Sequence, residues 1–158
     1  MSQEAFTYHA SVTDNVLFGR ESISDEAVIE TAKFANADEF ISELPKRYDT
    51  VVGERGMKVS GGQQQRLAIA PALLNSPEIL IFDEVTSNLD SISERTVQDA
   101  INGVSIDRTV ILIAHRLSTV SHADKILVFD GERLVEQGSH NDLLELNGYY
   151  SQLAGNFA

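Results

Sequence analysis

Glu78-Ile79-Leu80-Ile81-Phe82-Asp83-Glu84 decides how the rest of the sequence is read. The apolar run from Ile79 to Phe82 is too short for a buried helix. It shows no polar alternation, as expected of a strand covered on both faces. It ends abruptly in two adjacent carboxylates. Further on, Thr109 to Ala114 is a second run of the same kind, followed at once by His115. Between the two, Asp90 or Ser91 caps a helix expected to end near Gly103. Strand, helix and strand within about forty residues form a βαβ unit, so the two strands should be parallel.

Working outward, Ile126 to Phe129 reads as a third strand that turns at Asp130-Gly131 into Arg133 to Glu136, a strong hairpin signal. Short helices from Asn141 to Leu146 and from Tyr149 to Leu153 close the chain. Upstream of Glu78 the periodicity is helical. Ser24 caps a helix with Ala27, Val28, Ala32 and Ala35 on one face, and Asp38 to Leu44 forms a second, ended by Pro45. Tyr48 to Met57 reads as a loop, and from Ser60 a third helix carries Leu67, Ile69, Leu73 and Leu74 to the Asn75-Ser76-Pro77 stop.

The 158 residues suffice for a real core and hold 12 Lys and Arg against 24 Asp and Glu, a net charge of −12. The excess is spread over the chain, twelve acids against seven bases before Leu80 and twelve against five from there on. Independent binding of nucleic acid through phosphate neutralisation is therefore disfavoured. With no cysteine there is no disulfide framework, thiolate zinc site or cysteine nucleophile. The longest stretch without Asp, Glu, Lys or Arg, Leu146 to Ala158, is too short and too polar to span a membrane.

In an open parallel sheet, ligands bind beyond the carboxyl ends of the strands. Asp83, Glu84 and His115 all stand there. Two adjacent carboxylates suit divided labour, one on a hard cation such as Mg²⁺ and the other orienting or deprotonating a water. A histidine across the cleft suits a phosphate oxygen. The plain alternative is a charged pair where a strand meets solvent. The second constellation, Val59-Ser60-Gly61-Gly62-Gln63, opens a helix with two glycines, a hydroxyl and the positive end of the helix dipole, a site for an anion. Alone, such a stretch reads equally well as a loop and a cap.

The order of these stretches is more specific than any one of them. Val59-Ser60-Gly61-Gly62-Gln63-Gln64-Gln65-Arg66, then Ile79 to Glu84, then Ser87-Asn88-Leu89-Asp90, then Ala114-His115-Arg116-Leu117-Ser118 resembles the nucleotide-binding domain of ATP-binding cassette (ABC) transporters. The four are similar to the family's signature, Walker B, D-loop and switch histidine. Gly53-Glu54-Arg55-Gly56 and Ala-His-Arg-Leu-Ser-Thr-Val resemble the exporter branch, which handles drugs, lipids or peptides. Ser2-Gln3-Glu4 followed by Phe6 resembles the Q-loop. The resemblance implies an α/β fold of the P-loop NTPase type, with a parallel sheet core and a helical subdomain. It divides the chain at 77/78, with Q-loop and signature before and Walker B, D-loop and switch histidine after.

It also implies roles. Asp83 and Gln3 are expected to serve Mg²⁺, Glu84 to act as general base, and His115 to contact the γ-phosphate. Ser60, Gly61, Gly62 and Gln63 are expected to contact ATP bound mainly by a second nucleotide-binding domain, in a head-to-tail dimer. Asp90 would communicate across that interface. Membrane-spanning partner domains, fused or separate, would place the chain at the cytoplasmic face of a membrane, and the helical subdomain would receive their coupling helices. Nucleic acid is not an expected partner.

One part of the family pattern is missing. Lys33, Lys46, Lys58 and Lys125 follow Ala, Pro, Met and Asp, so the sequence has no Gly-Lys and hence no P-loop. In the family that loop precedes the Q-loop, which makes truncation before Met1 the expectation. Its strand would lie between those ending at His115 and Phe129, so an incomplete sheet is expected. Losing three charge-assisted phosphate contacts at ~1.5–3 kcal/mol each removes more than the ~4 kcal/mol that defines millimolar binding. Alone, the chain is not expected to hydrolyse ATP. The alternatives are a module lending its signature to a P-loop-bearing partner and a non-functional fragment. The split ATPase of chromosome-maintenance proteins fits less well, since Gln3 and Ser60 share one chain and no heptads occur. Pro71, where the family usually has Arg, is expected to cost the signature helix ~3 kcal/mol or more.

Overall fold

The structure is a computed structural model that describes residues 6–54, 56–74, 76–86, 89–106 and 108–155. It divides into two compact units, Met1–Ile111 and Leu112–Ala158. The expected division of motifs at 77/78 falls inside the first.

The first unit begins with β1 (Ala10–Ser11) and helix α1 (Val12–Leu17). A capping box opens α1: the Ser11 hydroxyl accepts from the Asp14 amide while the Asp14 carboxylate accepts from the Ser11 amide. This helix was not foreseen. Helix α2 (Asp25–Phe34) starts at Ser24, whose side chain accepts from the Ala27 amide, and α3 (Asp38–Glu43) follows after the elbow at Asn36. The stretch read as a loop contains a 3₁₀ turn at Arg47–Asp49 and β2 (Val51–Val52), which pairs antiparallel with β1.

Helix α4 (Gly61–Leu73), strand β3 (Ile79–Asp83), helix α5 (Ser91–Ser105) and strand β4 (Thr109–Ile113) complete the central pattern. β3 pairs with β4. The Thr109 amide donates to the Glu78 carbonyl at 2.9 Å, joining the start of one strand to the start of the other, as parallel strands require. Pro71 does not stop α4. It has no N–H to give the Leu67 carbonyl, but the helix ends only two residues later, so one bond is lost near the terminus.

The helices bury Val28, Ala32, Phe40, Ile41, Leu67, Ile69, Ala70, Val97, Ala100 and Ile101. β3 departs from expectation. Leu80 and Phe82 are buried, yet Ile79 and Ile81 are 60% and 65% exposed, so the strand is covered on one face rather than two.

In the second unit, α6 (Leu117–Val120) leads to the hairpin of β5 (Ile126–Asp130) and β6 (Arg133–Gly138), then α7 (His140–Glu145) and α8 (Tyr149–Gly155). Gly131 takes φ +58 in the turn, which glycine adopts without strain. Ile126, Val128, Leu143 and Tyr150 form this unit's core. The Glu136 carboxylate accepts from the amides of Tyr149 and Tyr150 and so caps α8. Among the described residues the strands form three two-stranded sheets, β1-β2, β3-β4 and β5-β6.

Candidate nucleotide and coupling sites

The start of α4 is built as a capping box. The Ser60 hydroxyl accepts from the Gln63 amide at 3.3 Å, and Gln63 Oε1 accepts from the Ser60 amide at 2.9 Å. The box satisfies those two amides and leaves the N–H groups of Gly61 and Gly62 without intrahelical partners. Ser60 keeps its own hydroxyl proton and Gln63 its amide NH₂. Ser60 and Gly61 are exposed. The hydroxyl, the Gly61 amide and the positive end of the helix dipole thus stand together at one exposed turn, an arrangement that can accept an anion.

Gly62 is buried for a different reason. A Cβ there would meet Ser93 Cβ and Oγ at 2.5 Å, so only glycine lets the first turn of α4 lie against the first turn of α5. Ser93 is in turn fixed by Asp90. The Asp90 side chain accepts from the amides of Ile92 and Ser93 at 3.1 and 3.0 Å. The Ser93 amide, first, and the Ser93 hydroxyl hold its carboxyl below the usual carboxylate range. Ser87 and Asn88 lie outside the described residues, and so does Gln3.

Asp83 closes β3 as an exposed residue, and Glu84, half-buried, leaves the strand with φ 51, in the left-handed region. Among the described residues no group of three His, Cys, Asp or Glu is placed to hold a metal ion. A single exposed carboxylate is still a fitting donor for Mg²⁺, which usually takes one or two from the protein and the rest from phosphate and water. His115 is exposed just beyond β4, in the second unit.

Two features escaped the sequence reading. One is an open cavity of about 420 Å³ in the first unit, lined by Tyr8, Asn15, Phe18, Arg20, Leu67 and Pro71 among others. Phe6 and Tyr8 pack edge to face at 4.9 Å, with Phe18 5.5 Å from Tyr8, and all three are largely exposed. Asn15 is buried beneath them, accepting from the Tyr8 amide at 2.7 Å and donating to the Tyr8 and Ser11 carbonyls. Isolated exposed aromatics in the sequence gave no sign that they converge. The other is Arg66 of α4, whose contacts reach the elbow at Asn36 and the Phe40 ring of α3.

A glycine-opened helix and a parallel strand pair whose first strand ends in two carboxylates define an α/β protein with groups suited to an anion and to a hard cation. The comparisons with known proteins agree. The family described as ABC transporter matches residues 1–87. The chain is 51% identical over 148 residues to the heterocyst differentiation ATP-binding protein HepA of Nostoc sp., covering 94% of this chain and 24% of that protein. It is 50% identical over 153 residues to a putative multidrug export ATP-binding/permease protein of Staphylococcus aureus, covering 97% and 26%. The structure of a bacterial Atm1-family ABC exporter with ATP bound superposes with a TM-score of 0.86 at 44% identity, over 99% of this chain and 27% of that one. The chain belongs to the ABC transporter family, and its fold is that of an ABC exporter's nucleotide-binding domain. It spans about a quarter of the length of these relatives.

Proposed function

We propose that this chain is the signature- and Walker B-bearing part of an ABC exporter ATPase domain, in whose whole protein ATP binding and hydrolysis drive transport. The observation that carries the reading is the Ser60–Gln63 capping box, which leaves a hydroxyl and the Gly61 amide at an exposed helix end. In this reading Ser60, Gly61, Gly62 and Gln63 contact the phosphates of ATP seated on a second nucleotide-binding domain. Asp83, with Gln3, holds Mg²⁺, which neutralises phosphate charge when bound. Glu84 accepts a proton from the attacking water, and His115 donates to the γ-phosphate. The sequence has no Gly-Lys pair, so hydrolysis requires a P-loop from outside these 158 residues.

The Phe6–Tyr8–Phe18 cavity supports the coupling role. It is an aromatic depression with Arg20 at its edge, suited to a short amphipathic helix from a membrane-spanning domain. No helix among the described residues is long and apolar enough to cross a membrane. The purified chain is expected to show no ATPase activity alone. Mixed with a P-loop-bearing ABC domain whose own signature serine is replaced by alanine, it should restore MgATP hydrolysis, and Ser60→Ala should remove that restoration. Unchanged hydrolysis on adding the wild-type chain would sink the donor reading.

A further inference from the structure

Arg66 stands one turn into α4, and its guanidinium turns back toward the start of the helix. Nε donates to the Gly62 carbonyl at 3.3 Å, and NH1 donates to the Asn36 carbonyl at 2.8 Å. The plane lies over the Phe40 ring of α3, 5.1 Å from its centroid, in cation–π contact. Burial pulls the Arg66 pKa down while Glu39 opposes the shift, consistent with a cation held partly out of water for its contacts.

Asn36 is the other half of the arrangement. It occupies the elbow between α2 and α3 with φ 52, a conformation asparagine tolerates better than most residues. Its carbonyl receives Arg66, and its side-chain amide donates to the Thr96 carbonyl of α5 at 3.3 Å. A chain of contacts therefore runs from Gly62 through Arg66 and Asn36 to α5. It spans the same two helices whose first turns meet at Gly62 and Ser93. The close approach sets how near the turns can come, and the Arg66–Asn36 link sets how α4 is rotated against α5.

We propose that Arg66 and Asn36 are positioning residues that hold the Ser60–Gln63 turn at the orientation required to meet nucleotide on a partner domain. The proposal rests on the donor reading above. It adds that the α2–α3 elbow, which touches no nucleotide itself, controls the affinity of that encounter. Neither residue reaches the reacting atoms, so the expected signature is a change in apparent nucleotide affinity with little change in maximal rate.

The test uses the full chain, MgATP and the P-loop-bearing partner whose own signature serine is removed. Asn36→Gly keeps the positive φ and the carbonyl but deletes the amide to Thr96. Arg66→Lys keeps the charge but cannot make both bonds. Each should raise the MgATP concentration for half-maximal hydrolysis about three- to tenfold, the worth of one net hydrogen bond, with the plateau rate within about twofold. The double variant should be no worse than the worse single one, because both break the same link. In the isolated chain, exchange should quicken at the amides of Gln63 and Gln64, which bond to the Ser60 hydroxyl and carbonyl, while β3 keeps wild-type protection.

Multiplicative effects in the double variant, or a fallen plateau at unchanged half-saturation, would overturn the proposal. So would wild-type exchange at Gln63 and Gln64. If the wild-type chain fails to stimulate the partner, the donor reading falls. The exchange measurement, which needs no partner, then decides whether the link positions the turn.

Discussion

Helices α4 and α5 and strand β3 are neighbours in one unit, yet they meet the problem of burial in opposite ways. The two helices are complete in themselves. Each begins with a side-chain cap from its own sequence and buries one stripe of apolar residues, leaving the polar stripe to water. β3 is apolar on both sides, but only Leu80 and Phe82 are covered, and Ile79 and Ile81 face outward. A helix needs a neighbour along one stripe, whereas a central parallel strand needs one above and one below. The composition of β3 thus asks for more structure than the described residues supply, and that of α4 and α5 does not.

The sharpest way to break this comparison is to truncate one residue from each face of β3. Phe82→Ala should cost about 3–5 kcal/mol, the ordinary result of emptying a buried aromatic site. Ile81→Ser should fall within ~0.5 kcal/mol of wild type, as surface substitutions do. Urea unfolding followed by circular dichroism measures both. If Ile81→Ser is as damaging as Phe82→Ala, the outward face is covered in solution and the contrast between helix and strand disappears.

A smaller effect is expected where the helices meet. Gly62→Ala places a methyl where Ser93 stands 2.5 Å away. Overpacking of that kind costs ~1–3 kcal/mol and should also abolish stimulation of a P-loop-bearing partner. Gly61→Ala is the control, since its new methyl meets only Leu89 Cδ2 at 3.8 Å, an ordinary contact. It should leave stability at or slightly above wild type. Equal losses at the two glycines would show that loop flexibility, rather than the α4–α5 approach, accounts for Gly62.

What the sequence revealed follows the same division. Ser24, Ser60 and Asp90 announced their helices because a cap and an apolar stripe are local patterns, and Asp130-Gly131 announced its hairpin for the same reason. Helix α1 was missed because six residues are too few to show a stripe, although Ser11 and Asp14 carry its capping box. The residues proposed for the site, Ser60–Gln63, Asp83, Glu84 and His115, stood out by their types and their places at a helix start or just past a strand. The Arg66–Asn36 link was not, since it joins residues 30 apart and then reaches Thr96, 60 beyond Asn36. The aromatic cavity was hidden likewise, being assembled from residues between Phe6 and Arg20 and between Leu67 and Ala72. The one-sided cover of β3 was misread because an apolar run specifies what a strand can bury, not what is there to bury it.

The smallest expected effect tests how self-contained the helix ends are. Asp90 and Asp142 both cap helices and both have carboxyls held below the ordinary range, but for different first reasons. The backbone amide of Ser93 leads at Asp90, and the hydroxyl of Ser139 leads at Asp142. A depressed folded-state pKa contributes stability that is present above the unfolded carboxylate value of ~3.9 and is lost as pH falls through the folded value. Both caps should therefore weaken in acid and be intact at neutral pH. Removing one hydroxyl separates them. Ser139→Ala deletes the leading donor and should bring the Asp142 titration most of the way back to the usual carboxylate range. Ser93→Ala leaves the leading amide in place, so Asp90 should rise only part of the way. Carboxyl-carbon NMR titration of the two variants measures both shifts. A full return of Asp90 in Ser93→Ala would mean that the α5 cap is held by its side-chain partner, and that the start of α5 is less self-sufficient than its backbone geometry implies.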